Sequence, residues 1–125
     1  MAFEYGTENK FYDQTFASAI SSAGDYGPVI AGGDCNGALA ITLVCTSAAS
    51  VSGLKLTYKE SSAISGSYTA PTDAVTVAFG GSAYAAGDVV GHLVLPNGGK
   101  EYVKATISGT ISSGGFAAHL QYLAR

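Results

Sequence analysis

The sequence predicts an all-β domain, an antiparallel sandwich or barrel of about eight short strands. Three observations predict it. Several runs alternate apolar and polar residues with period 2, the pattern of half-buried strands. The composition is rich in residues that weaken helices and suit turns: 17 Gly, with many Ser and Thr. No segment carries a sustained i, i+3, i+4, i+7 apolar stripe.

Taken in order, residues 1–13 (MAFEYGTENKFYD) form an extended arm. They are rich in aromatics and acids and show no period, so they order only where they find something to pack against. Residues 14–125 form a single domain, because a chain of this length holds one core. Gln14–Ile20 begins it as a strand. A short strand over Tyr26–Ala31 is broken by Pro28, which suits an edge. Leu39, Ile41, Leu43 and Cys45 alternate with Ala40, Thr42 and Val44, giving a strand partly covered on both faces. Leu54, Leu56 and Tyr58 alternate with Lys55, Thr57 and Lys59, a strand with one face in solvent. A small polar surface loop, SSAISGSYTAPT, follows Glu60. Val75, Val77 and Phe79 predict a strand stopped by Gly80-Gly81, and Val89–Leu95 another. The last two strands, over Glu101–Ser108 and Phe116–Tyr122, are set off by a Pro-Asn-Gly-Gly turn and a Gly/Ser-rich turn.

Charge and cysteine content narrow the function classes. The net charge is −3 and the six cationic side chains form no basic run, so nucleic acid is not an expected partner. No apolar run reaches the roughly 20 residues of a membrane span, so no membrane partner is expected. The first residues lack an apolar export signal, so synthesis in a cytoplasm is expected. With residues 38–45 extended, Cys35 and Cys45 lie on the order of 25 Å apart, far beyond disulfide reach, and two thiols are expected.

A search for chemistry finds no catalytic constellation, and the chain is not expected to be an enzyme. His92 and His119 both fall within strands, where a surface or interface histidine is the simpler reading. Asp88, the acid nearest His92 in sequence, sits in a turn. The Gly-Gly-Asp-Cys-Asn-Gly run at 32–37 alternates carboxylate and amide oxygens, yet it has too few ligands for Ca²⁺ and reads as a tight connection. Neither CxxC nor HxxxH spacing occurs, so no metal is expected, and the glycine pairs lack a phosphate-binding context, so no cofactor is. Lys55, Lys59, Lys100 and Lys104 read as solvated sheet faces. The surplus lies in the eight tyrosines. Phe3, Tyr5, Phe11 and Tyr12 in the arm, with Tyr26 and Tyr68 in turns or loops, are the candidate protein-interface residues, since aromatics are enriched where protein surfaces meet.

The segment from Leu54 to Leu123 resembles the jelly-roll cement (decoration) proteins on capsids of tailed double-stranded DNA phages. The matching residues are Leu95-Pro96, Tyr102-Val103-Lys104 and Gly115-Phe116-Ala117-Ala118. The resemblance implies a jelly-roll sandwich that self-associates as a homodimer or homotrimer. It also implies a place on the outer capsid surface of the virion, across joints between major capsid subunits, and no enzymatic activity. The aromatic arm departs from the family's pattern. The competing reading is a small carbohydrate-binding β-sandwich of a phage tail or fibre. Tyrosines in loops favour it, and the absence of Trp and of a polar cluster beside those tyrosines counts against it.

Overall fold

The computed structural model describes residues 14–31, 38–72, 74–95 and 100–123. They form one antiparallel sheet system of seven strands and contain no helix: β1 (Gln14–Ile20), β2 (Gly24–Ile30), β3 (Ala38–Ser61), β4 (Val77–Ala78), β5 (Ala83–Tyr84), β6 (Val89–Val94) and β7 (Tyr102–Leu123). The predicted arm at residues 1–13 and the connection carrying Cys35 lie outside the described residues.

Two strands dominate. β3 and β7 pair along nearly their whole length, from Ala38 opposite Leu123 to Ser61 opposite Tyr102. Each merges two strands predicted separately. The Ser/Ala/Gly stretch of residues 46–53 and the Ser/Gly stretch of residues 108–115 carry bulges rather than chain reversals, so hydrogen bonding continues through both. At the other elements the differences are smaller. The strand predicted over Val75–Phe79 shrinks to Val77–Ala78, and β5 is an additional two-residue strand.

The shorter strands follow this ribbon as two interrupted edges. β1 pairs with β7 near Phe116–Leu120 and β2 with β7 near Tyr102–Ile107. On the other side, β6 pairs with Ala40–Val44 of β3, β5 with Ala49–Ser50 and β4 with Lys55–Leu56. The result is two four-stranded halves, ordered β1-β7-β3-β6 and β2-β7-β3-β4, that share the long ribbon.

The ribbon is bent back on itself. Positions 102 and 120 of a straight strand would lie about 60 Å apart. Yet Gln14, opposite Leu120, exchanges two hydrogen bonds with Ile30, opposite Tyr102: its Nε2 donates to Ile30 O (2.6 Å), and Ile30 N donates to its Oε1 (3.2 Å). A side chain can span that gap only if the two ends of β7 have been folded together. The bulges at residues 45–55 and 108–116 supply the bend. Gly109 and Gly114 permit it, with φ of +102° and +85°. A Cβ at Gly109 would overlap the Gly53 carbonyl oxygen, and one at Gly114 that of Ala48.

Folding the ribbon encloses one core. Leu39, Ile41, Leu43 and Cys45 of one half and Leu54, Leu56 and Tyr58 of the other belong to a single buried cluster, with Val103, Ala105, Ile107, Phe116, Ala118 and Leu120 from β7. Among the described residues, which contain no helix, the opposite half of the sheet covers these side chains. Phe16 of β1 and Val29 of β2 close one edge. Tyr84 of β5 meets Phe116 edge to face at 6.1 Å near the bend. The period-2 reading of Leu54–Lys59 is borne out: Lys55, Thr57 and Lys59 point away from the core. Ala40 and Thr42 are buried as well, as expected for a strand partly covered on both faces.

Candidate interaction surface

Each half of the sheet presents an outer face, and the two faces differ in chemistry. On the β1-β7-β3-β6 half, register aligns a polar row across four strands. His92 and His119 both lie opposite Thr42, and Thr15 lies opposite His119. Thr42 Oγ1 pairs with His92 Nδ1 (2.9 Å) and Thr15 Oγ1 with His119 Nδ1 (3.2 Å). Each imidazole is thus held by a hydroxyl, and among the described residues neither hydrogen-bonds to a carboxylate. Small side chains (Ala40, Ala117) floor this face, and Val89 and Val94 stand exposed at its β6 edge.

On the β2-β7-β3-β4 half the outer face is cationic. Lys55, Thr57 and Lys59 of β3 lie opposite Ser108, Thr106 and Lys104 of β7, so three of the chain's six cations share one surface. Lys59 and Lys104 are direct cross-strand neighbours, a like-charge pair that disfavours the local pairing. Two groups offset it. Asp25 from β2 accepts from Lys59 Nζ (3.0 Å) and from Thr106 Oγ1 (2.8 Å), and Lys104 Nζ lies 4.5 Å from the centre of the Tyr68 ring. Burial raises the Asp25 carboxyl. Hydrogen bonds from Lys59 and Thr106, with the positive charges of Lys59 and Lys104, outweigh that and hold it below its ordinary value. Asp25 neutralises one of the three charges, and the face keeps a positive excess.

The predicted interface residues fall in different places. Tyr68 lies in the polar loop after β3, half-buried, its hydroxyl donating to Ile64 O (2.7 Å). Desolvation, and then Tyr102, push its phenol up. Tyr26 lies within β2 rather than in a turn. Its ring packs on the core and its hydroxyl donates to Ser22 O. Phe3, Tyr5, Phe11 and Tyr12 lie outside the described residues.

The remaining candidates are tied into the fold. The buried Glu60 is bound at both ends: its carboxylate accepts from Lys100 N (3.1 Å), and its backbone pairs with Thr69 to anchor the polar loop. Cys45 is a buried free thiol whose Sγ donates to Ser47 O. Burial, and then the charge of Asp88, push its pKa up, the opposite of what a nucleophile requires. Asp88 itself accepts from Ala85 N (2.8 Å) and closes the turn before β6. Among the described residues no three His, Cys, Asp or Glu side chains gather as a metal site. No protein-family model, curated protein or solved structure matches the chain.

Proposed function

We propose that this protein is a structural virion component that binds the outer surface of a phage capsid and stabilises contacts between major capsid subunits. The fold in this reading is a jelly roll, and the observation that carries it is the strand order. Two four-stranded halves share one bent antiparallel ribbon, with orders β1-β7-β3-β6 and β2-β7-β3-β4. Two interleaved Greek keys wound from a folded hairpin give this arrangement. The resemblance at Leu95-Pro96, Tyr102-Val103-Lys104 and Gly115-Phe116-Ala117-Ala118 supports the same reading and supplies the capsid partner.

Function then resides in surfaces. Both outer faces are broad β-surfaces, one lined by small side chains and histidines, the other by lysines and threonines. A protein that binds the mature shell but not its dissociated subunits stabilises the shell by mass action. Repetition of modest contacts by a homodimer or homotrimer across symmetry-related joints multiplies the effect. The arm, through Phe3, Tyr5, Phe11 and Tyr12, reaches the shell or a neighbouring copy.

Co-sedimentation with empty expanded capsids tests the proposal. The full-length chain pellets with capsids in saturable proportion. Removal of residues 1–12 leaves the circular-dichroism spectrum unchanged and lowers the pelleted fraction. Unchanged pelleting of the truncated chain contradicts the role given to the arm, and failure of the full-length chain to pellet contradicts the function.

A further inference from the structure

We infer that the cationic outer face of the β2-β7-β3-β4 half is the seat for the amino-terminal segment, residues 1–13, of a second copy of this chain. The inference deepens the self-association part of the proposed function and rests on it. Three observations carry it.

The first is charge. Residues 1–13 hold Glu4, Glu8 and Asp13 against the single side-chain cation Lys10, while the face holds Lys55, Lys59 and Lys104 against Asp25. The excesses are opposite, in a chain that is acidic as a whole. The second is that the face keeps an unfavourable arrangement. Lys59 and Lys104 are direct cross-strand neighbours, and among the described residues Lys55 has no ion-pair partner. An acidic strand laid across these lysines relieves that repulsion. Tyr68, already stacked by Lys104, offers apolar area to Phe3, Tyr5, Phe11 or Tyr12.

The third is position. β1 runs antiparallel to β7, so its first residue, Gln14, stands at the end of the ribbon where β7 exits. The two hydrogen bonds between Gln14 and Ile30 hold the start of β1 there. Seating on a second copy makes this an exchange of amino-terminal segments between copies.

A labelled synthetic peptide of residues 1–13, added to the chain lacking those residues, tests this without any capsid, so the result is separable from capsid binding. Fluorescence anisotropy should show saturable binding that weakens with added salt. Binding should fall about tenfold or more with Lys55→Glu and Lys104→Glu together. Neither substituted residue is a member of the Asp25–Lys59 ion pair, and the circular-dichroism spectrum checks that the fold survives. A peptide carrying Glu4→Lys and Glu8→Lys should prefer the reversed face. Light scattering of the full-length chain should show an oligomer that becomes monomeric both on truncation and on lysine reversal. No peptide binding, binding indifferent to the lysines, or a monomeric full-length chain would each overturn the inference.

Discussion

Gly109 and Gly53 face each other across the bend, and their environments separate two costs that glycine avoids. Both have positive φ, +102° and +62°, but a Cβ on Gly53 meets open space whereas one on Gly109 meets the Gly53 carbonyl. Gly53→Ala should therefore cost about 1 kcal/mol, the conformational term alone. Gly109→Ala should cost about 2–4 kcal/mol because backbone must move as well. Urea melts of the two variants check the order; equal losses would mean the bend tolerates displacement. Asp25 provides the second residue-level test. Its folded pKa is depressed, so its contribution is present above its unfolded pKa of about 3.9 and is lost as pH falls through the lower folded value. Asp25 and Lys59 are each about one-third exposed, so Asp25→Asn should destabilise by no more than about 1 kcal/mol at neutral pH. The gap between variant and parent should close as pH falls and the carboxyl is protonated in both states; a gap that did not narrow on acidification would show that the ion pair is not its source.

At the scale of elements, β3 and β7 are flanked on both sides and form the frame, while β4 and β5 are two-residue edge pairings. Amide exchange should follow that division. Protection should be greatest at Ile41–Leu43, Leu56–Tyr58, Val103–Ile107 and Phe116–Leu120 and least at Val77–Ala78 and Ala83–Tyr84. Fast exchange in the centre of β3 would contradict the shared-ribbon description. The alternation that defines these strands was legible in the sequence wherever local period sufficed, as at Leu54–Lys59 and Glu101–Ser108. The continuity of β3 and β7 was not. Residues 46–53 and 108–115 have the composition of turns, and only long-range pairing with each other makes them strand.

For the whole molecule, folding one ribbon in half creates two outer faces from four sequence-distant segments. The lysines read individually as solvated positions, and so they are in part. Their gathering on one surface depends on Lys59 lying opposite Lys104, a register no local pattern encodes. The row of His92, Thr42, His119 and Thr15 was hidden for the same reason: each residue lies on a different strand. Residues 1–13 stand out in the sequence by composition alone, and composition does not specify what such a segment contacts. Among the described residues, the distinctive chemistry lies on sheet faces rather than in a convergent cluster. Electron cryo-microscopy of empty expanded capsids incubated with the purified chain tests the proposed function most directly. It predicts added density on the outer surface, bridging adjacent major capsid subunits and fitted by the folded ribbon with one sheet face or the arm against the shell. Capsids indistinguishable from untreated ones at saturating protein would contradict it.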